Sequence, residues 1–307
     1  MKPKVIVIAG PTASGKTALS IELAKQIKGE IISSDSMQIY KNMNIGTAKV
    51  TKEEMQGIEH HLIDFVTPNE RYSVSNFKKD AEQAIEKILA KGKVPIVVGG
   101  TGLYIDSLIY GIEYPDMAFD EEYRNRLMEQ AQTEEGLQAI FEQAKKIDEE
   151  AMQNISHNDK KRIIRVLEIY HATGKNKTEQ EKLSRIHGVK YDFKFFAIDM
   201  QREKLYERIN RRVDLMLEQG LVEEVKVLRE KYQCFPTAMQ GLGYKEVVQY
   251  LKEECTYEEM VETIKRETRR YAKRQLTWLR KNKETIWLDA ENKIQNNIDI
   301  ILEVYEN

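Results

Sequence analysis

Near its start the chain has an apolar run that leads directly into a glycine-bounded loop, KVIVIAGPTASGKT at residues 4–17. The run Lys4–Ala9 has no polar residue after Lys4, which is typical of a strand buried on both faces of a parallel sheet. The next eight residues match GxxxxGK[ST], and helical spacing of apolar residues follows from Leu19 to Ile27. A buried strand, such a loop and a helix together predict a phosphate-binding P-loop.

This loop has the composition of an anion cradle. Its glycines allow backbone N–H groups to turn toward an anion, and the helix adds the partial positive charge of its N-terminus. Lys16 is expected at the terminal phosphate oxygens, and Thr17 is expected to help hold Mg²⁺. The motif indicates diphosphate binding without saying which diphosphate binds or which bond breaks. The predicted diphosphate-binding residues are Gly10, Pro11, Thr12, Ala13, Ser14, Gly15, Lys16 and Thr17.

Further alternation of strand and helix patterns extends this unit into a sheet. The segments that read as additional strands are residues 30–33, 61–65, 94–98, 191–198 and 285–288. Between about Pro115 and Lys190 only helical periodicities occur, with many acidic residues. We therefore predict an α/β fold: a P-loop NTPase-like parallel sheet core with basic C-terminal helices from residues 1–114 and 191–307, and an inserted all-helical subdomain at 115–190.

Composition narrows the classes of function. The 48 lysines and arginines and 50 acidic residues give a net charge of −2, so global charge alone predicts no polyanion partner. Two cysteines without a CxxC motif imply neither a disulfide framework nor a zinc site, which fits a reducing cytoplasm. No apolar run approaches the ~18 residues that span a bilayer. We expect a cytoplasmic monomer without a membrane partner.

Two polar residues directly follow predicted strands, where ligands gather in open α/β sheets. A carboxylate at Asp35 can accept a proton from a nucleophile, but an Asx turn or a helix cap explains that position equally well. Thr101 lies in GGTGLY, where a hydroxyl can donate to a developing anion or cap the next helix. The residues alone leave both alternatives open.

Basic charge is concentrated in a few segments. Residues 265–283 contain nine lysines and arginines and one acid, Glu267. Arg266, Arg270 and Lys273 fall on one helical stripe, and further basic groups occupy residues 160–165 and 202–212. One such cluster is usually a solvated helix face, but several together favour binding to a phosphodiester backbone.

Six motifs, in this order, resemble those of the bacterial tRNA dimethylallyltransferases, also called tRNA isopentenyltransferases or the IPP transferase family. The motifs are GPTASGKT (10–17), DSMQIYK (35–41), GGTGLY (99–104), NDKKRIIRVLE (158–168), GLGYKE (241–246) and KRQLTWLRK (273–281). The resemblance covers almost the whole chain. Its small departures, Lys41 and Leu242, do not touch the expected chemistry.

The resemblance implies transfer of a dimethylallyl group from its diphosphate to N6 of adenosine 37 of tRNA. It implies that Asp35 is the general base, that Thr101 assists at the bridging region of the diphosphate, that Lys16 and Arg208 support the diphosphate, and that Mg²⁺ is the cofactor. Residues 115–190 would be a tRNA-binding arm. The residues implied to contact tRNA are Asp35, Ser36, Met37, Gln38, Lys161, Arg162, Arg165, Gly243, Tyr244, Lys245, Lys273, Arg274, Gln275, Thr277, Trp278 and Arg280.

Two other functions stay open on the residues alone. A P-loop kinase for a small metabolite or nucleoside is favoured by the loop, but the basic C-terminal segment disfavours a small acceptor. A nucleic-acid-binding protein without chemistry would need a vestigial P-loop, and an intact GKT with Asp35 and Thr101 argues against that.

Overall fold

The computed structural model describes residues 2–114, 120–184 and 188–307. The chain divides into two compact units, Met1–Ile109 with Lys190–Asn307, and Tyr110–Val189. The domain boundary expected at residue 115 lies outside the described residues. Within the described ranges, no helix has both the length and the apolar content that a membrane crossing requires.

The first unit is built on a parallel sheet, as the alternation of patterns predicts. Among the described residues the sheet has six strands: β1 (Lys4–Ala9), β2 (Gly29–Ser33), β3 (His60–His61), β4 (Val94–Gly99), β5 (Asp192–Asp199) and β6 (Ile286–Asp289). Their order is β3-β2-β4-β1-β5-β6, and every neighbouring pair is parallel. The α/β fold class is therefore confirmed.

Helices cover both faces of the sheet and form the second unit. In chain order they are α1 (Lys16–Ile27), α2 (Lys52–Met55), α3 (Val74–Ala90), α4 (Gly102–Ile109), α5 (Glu121–Gln130), α6 (Glu134–Ile147), α7 (Glu149–Met152), α8 (Lys160–Thr173), α9 (Lys177–Leu183), α10 (Arg202–Glu218), α11 (Leu221–Lys231), α12 (Tyr244–Leu251), α13 (Tyr257–Leu279) and α14 (Ile294–Glu306). A 3₁₀ turn lies at Ala238–Gln240.

The position of β1 in the sheet accounts for its uninterrupted apolar sequence. Val5, Val7 and Ala9 pack with the apolar side of α3 and α4, whereas Ile6 and Ile8 pack with α1 and α14. All five side chains are fully buried, and each large one stabilises the fold by roughly 1.5–3 kcal/mol. A strand covered by helices on both faces has no place for a polar side chain, which is why the run is uninterrupted.

The strand predicted at residues 61–65 is wrong beyond His61. Leu62 and Asp64 adopt positive φ angles of 58° and 56°, which no strand accommodates. The chain turns there, and the N–H groups of Asp64 and Phe65 donate to the carbonyl oxygens of Gln38 and Ile39 at 3.0 and 2.9 Å. This segment therefore supports the loop that follows β2 instead of extending the sheet.

The second unit has its own apolar core beneath a basic helix face. Leu127, Ile140, Ile163, Ile164 and Leu167 pack together in it. The buried side of α8 thus leaves Lys161, Arg162 and Arg165 exposed on the other side. This amphipathic pattern is the one predicted from the sequence for residues 160–170.

Candidate active site

The P-loop joins β1 to α1 and forms a tight turn. Gly15 has a φ of 95°, and a Cβ added at Gly10 would lie 2.9 Å from the Ser14 Oγ, so both positions require glycine. The Ser14 hydroxyl is buried and has no hydrogen-bond partner in the part of the chain that the structure describes. A buried polar group without a partner is costly, so the loop is suited to an incoming oxygen ligand.

Lys16 is held inside this loop. Its Nζ donates to the carbonyl oxygens of Gly10 at 2.9 Å and Pro11 at 2.7 Å. Burial and, to a smaller extent, the charge of Arg212 lower the pKa of Lys16 to about 8, against the opposing effect of Asp35. The ammonium therefore lacks sufficient negative charge nearby, and a diphosphate in the loop would supply it.

Two arginines reach the P-loop from α10. Arg208 is exposed, and its Nη1 lies 4.0 Å from where a Cβ on Gly15 would be. Arg212, one turn further along, donates to the Thr12 Oγ1 at 3.3 Å. Burial lowers the pKa of Arg212, opposed by the charges of Glu54 and Asp35. Sequence analysis assigned only Arg208 to the diphosphate, although the four-residue spacing already put both arginines on one helix face.

A cavity of about 300 Å³ lies against the P-loop, with Thr17, Glu54 and Arg212 among its lining residues. Thr17 is exposed in the first turn of α1. A hydroxyl and a carboxylate are the hard oxygen donors that Mg²⁺ prefers, and this ion usually takes only one or two protein ligands together with substrate phosphates. The residues present therefore fit the metal that the resemblance implies.

Asp35 forms the Asx turn that was one of the alternatives left open by the sequence. Its Oδ1 accepts hydrogen bonds from the N–H groups of Met37 at 2.8 Å and Gln38 at 3.2 Å, which is an Asx turn. Its Oδ2 accepts no hydrogen bond from the described residues. The half-buried carboxylate lines a second cavity, so one oxygen fixes the turn and the other is available to a ligand.

Thr101 is connected to the same turn. Its Oγ1 accepts from the Ser36 N–H at 3.1 Å and donates to the Ser36 Oγ at 3.3 Å. The side chain of Tyr271 also interacts with Thr101, and burial together with the charge of Asp35 raises the pKa of Tyr271 to about 12. The hydroxyl of Thr101 thus links the end of β4 to the segment that carries Asp35.

The second cavity, of about 330 Å³, brings together segments that are distant in the sequence. Asp35, Tyr271 and Arg274 contribute polar groups, while Met37 and Met216 contribute apolar surface. The GLGYK turn at 241–245 and residues 46–47 form other parts of its wall. Arg212 lines both cavities. Such a site suits a flat polar group next to a short apolar one.

Three side chains predicted to contact tRNA are engaged inside the protein. Tyr244 is 1% exposed. Gln275 accepts from the Thr12 N–H and donates to the Gly100 carbonyl oxygen, both at 2.9 Å. Trp278 donates to the Asp106 Oδ2 at 2.8 Å and packs on Gly102. Through these hydrogen bonds and this packing, the three side chains stabilise the structure around the site.

Other residues predicted to contact tRNA do face solvent. The exposed members of the first unit are Lys245, Lys273, Arg274, Thr277 and Arg280. In the second unit, Lys161, Arg162 and Arg165 are exposed on α8. Arg162 pairs with Asp159 at 3.3 Å and Arg165 with Glu168 at 3.5 Å, so neighbouring acids neutralise part of this charge.

Known proteins resemble this chain along nearly its whole length. Residues 38–282 match the family model described as IPP transferase. A tRNA dimethylallyltransferase of Acetivibrio thermocellus is 51% identical over 307 residues, with 98% of each chain covered. The solved tRNA isopentenylpyrophosphate transferase of Staphylococcus epidermidis is 44% identical, with 100% of each chain covered and a TM-score of 0.73.

A more distant structure has the same fold. A eukaryotic dimethylallyltransferase, described as acting on tRNA, is 33% identical at a TM-score of 0.81, and the match covers 99% of this chain and 80% of that one. Sequence and structure therefore agree with the resemblance seen in the six motifs. The chain belongs to the IPP transferase family.

Proposed function

We propose that this protein transfers the dimethylallyl group of dimethylallyl diphosphate to N6 of adenosine 37 in tRNA, next to the anticodon, and releases diphosphate. The observation that carries the proposal is that one side chain, Arg212, lines two cavities. One cavity contains the anion-binding loop and the other contains Asp35. A leaving group and a nucleophile can therefore both bind next to Arg212.

The residues fit the demands of this reaction. An adenine amine is a weak nucleophile because its lone pair is delocalised, whereas an allylic carbon tolerates positive charge as its diphosphate departs. The N6–C1 bond forms and the C1–O bond breaks, so negative charge grows on the diphosphate. The P-loop amides, Lys16, Arg208 and Arg212 would stabilise that charge. The Oδ2 of Asp35 would accept the amine proton.

Thr101 and Thr17 have separate tasks in this proposal. Thr101, oriented by the Ser36 N–H, would redirect its hydroxyl proton from the Ser36 Oγ to the bridging oxygen of the diphosphate. Thr17, together with the diphosphate oxygens, would hold Mg²⁺, which neutralises part of the charge on the leaving group. These assignments follow from the family resemblance, from the position of Thr17 in the lining of the first cavity, and from the hydrogen bond of Thr101 to Ser36, which lines the second.

Binding of tRNA would depend on several exposed basic surfaces. Lys273, Arg274 and Arg280 of α13 and Lys245 of the GLGYK turn lie on the first unit, and the exposed cations of α8 lie on the second. Contacts with the phosphate backbone supply free energy for pulling the target base out of its stack, which costs a few kcal/mol. Family membership also removes the support for the kinase alternative.

We further propose that the protein acts in the cytoplasm as a monomer. Cys234 and Cys255 are free thiols, in keeping with a reducing compartment. A molecular mass of one chain in sedimentation experiments at assay concentration would support the monomer, whereas a dimer mass would contradict it.

The function is tested by analysing the nucleosides of treated tRNA. Unmodified tRNA is incubated with the protein, dimethylallyl diphosphate and Mg²⁺, then digested and examined by mass spectrometry. We expect adenosine carrying one C5H8 group, and none in tRNA whose position 37 is not adenosine. A parallel assay measures transfer of the γ-phosphate of ATP to adenosine. Phosphorylated nucleoside without prenylated tRNA would overturn the proposal.

A further inference from the structure

Glu224, on α11, accepts an unusual number of hydrogen bonds. Its Oε2 accepts from the N–H groups of Asn44 and Ile45, both at 2.8 Å. Its Oε1 accepts from the Gly46 N–H at 3.2 Å and from the Tyr244 hydroxyl at 2.6 Å. The carboxylate is half-buried. Bonds to an ionised acceptor are among the strongest in proteins, so this group fixes two separate segments firmly.

The first segment is the loop at residues 44–48. Three successive N–H groups converge on the carboxylate, which is an anion nest filled by a side chain of the protein itself. At its other end, the Nε2 of Gln38 donates to the carbonyl oxygens of Thr47 at 3.2 Å and Ala48 at 3.3 Å. The loop is therefore held between Glu224 and the turn that begins at Asp35.

The second segment is the GLGYK turn, through Tyr244. The Tyr244 ring packs so closely on the loop that a Cβ added at Gly46 would lie 2.5 Å from the ring. Gly243 has a φ of 89°, and its N–H donates to the Glu246 Oε2 at 2.8 Å. The turn has little freedom once the Tyr244 hydroxyl is bound to Glu224.

Both segments line the cavity that contains Asp35, whereas Glu224 lies behind them and does not line it. Residues 46–47 form one part of the wall, and the turn at 241–245 forms another. The carboxylate therefore sets the distance between two wall elements without touching a ligand. None of its hydrogen-bond partners belongs to the P-loop.

We propose that Glu224 is a positioning residue for the transfer reaction, which holds residues 44–46 and Tyr244 at the spacing that the target adenine requires. The inference rests on the proposed function, since it names the group that shapes the nucleobase side of the same site. Its loss should impair productive binding of tRNA and leave the handling of dimethylallyl diphosphate unchanged, because the diphosphate loop is outside the network.

The test compares Glu224→Gln with Glu223→Gln in steady-state kinetics with both substrates. A glutamine side chain has only one acceptor oxygen, so some of the four donors lose the oxygen that accepts their hydrogen bond. We expect kcat/KM for tRNA to fall at least about ten-fold through a rise in KM for tRNA, the factor associated with one charged hydrogen bond, while KM for dimethylallyl diphosphate changes less than about two-fold. Glu223 is exposed on the same helix and pairs with Lys226 at 2.7 Å, so its variant should match the wild type.

Tyr244→Phe provides a second test that keeps the carboxylate. It removes one of the four hydrogen bonds, and we expect a rise of about two- to five-fold in KM for tRNA, again without a change for the diphosphate substrate. This variant decides the matter if Glu224→Gln does not fold, as judged by circular dichroism and thermal unfolding.

Several outcomes would overturn the inference. A lower kcat with both KM values unchanged would mean only a smaller active fraction, and equal increases in both KM values would mean a general loss of structure. Wild-type behaviour of both Glu224→Gln and Tyr244→Phe would also contradict it. If the wild type forms no prenylated tRNA, the proposed function fails and the inference fails with it; if the wild type is active, only the inference is at stake.

Discussion

Replacing Asp35 with asparagine separates the turn that the structure shows for this side chain from the general-base role that we propose for it. The Oδ1 that accepts from Met37 and Gln38 is kept in the variant, so the Asx turn should persist. The Oδ2 becomes an NH₂ group, which cannot accept a proton. Replacing Asp35 with alanine removes both oxygens, and with them the turn.

The expected magnitudes follow from these contacts. General-base catalysis contributes about 10²–10⁴ in rate, so Asp35→Asn should slow the transfer step by that factor, about 3–5 kcal/mol in activation free energy. The folded state should lose only about 1 kcal/mol, because neutral hydrogen bonds replace charged ones. Asp35→Ala should be equally slow but also less stable by about 1–3 kcal/mol, since two N–H groups lose their acceptor.

Single-turnover kinetics provide the assay. Enzyme in excess over tRNA is mixed with labelled dimethylallyl diphosphate, and prenylated tRNA is quantified over time; tRNA affinity is measured separately by fluorescence anisotropy, and stability by urea unfolding. We expect both variants to bind tRNA within a few-fold of the wild type. If Asp35→Asn turns over at the wild-type rate and only Asp35→Ala is slow, the side chain serves the turn alone and its assignment as the base is refuted.

Three further expectations concern the diphosphate side of the site. The pKa of Lys16, about 8, means that its charge is present below that pH and lost above it, so Kd for dimethylallyl diphosphate should be constant below pH 8 and rise up to about ten-fold per pH unit above it; a titration flat to pH 10 would contradict this. Arg212→Gln should lower kcat by about ten- to a hundred-fold, whereas Arg211→Gln, an exposed neighbour, should be neutral in the same assay; equal effects would exclude a specific role. Gln275→Leu should lower the free energy of unfolding in urea by about 1–3 kcal/mol, because the Thr12 N–H and the Gly100 carbonyl oxygen lose their hydrogen-bond partner. An unchanged midpoint would show that the brace, the pair of hydrogen bonds made by the Gln275 side chain, is dispensable.

Local patterns in the sequence were sufficient to predict the centre of the fold. The run Lys4–Ala9 and the glycine-bounded loop specify strand, turn and helix within a few consecutive residues, and burial on both faces excludes polar side chains. Parallel pairing then brings the ends of β1, β2 and β4 to one edge, so the P-loop, Asp35 and Thr101 were expected together.

Contacts between distant residues could not be predicted in this way. Gln275 and Trp278 lie in a basic motif, and nothing nearby in the sequence says that they bond to Gly100 and Asp106. The positive φ angles of Leu62 and Asp64 depend on hydrogen bonds to the loop after β2. Because the sequence does not show these bonds, residues 61–65 were predicted to form a strand. No pattern in the sequence singled out Glu224, because three of its four hydrogen-bond partners lie some 180 residues earlier in the chain.

The brace formed by Gln275 couples the outside of the protein to its reactive centre. Lys273 and Arg274 immediately precede it on α13 and point toward solvent. Gln275 itself is hydrogen-bonded to Thr12 of the P-loop and to Gly100, which precedes Thr101 at the end of β4. A small rotation of α13 when a polyanion binds to it would move both the P-loop and the end of β4. We therefore expect the binding of one substrate to change the affinity of the protein for the other.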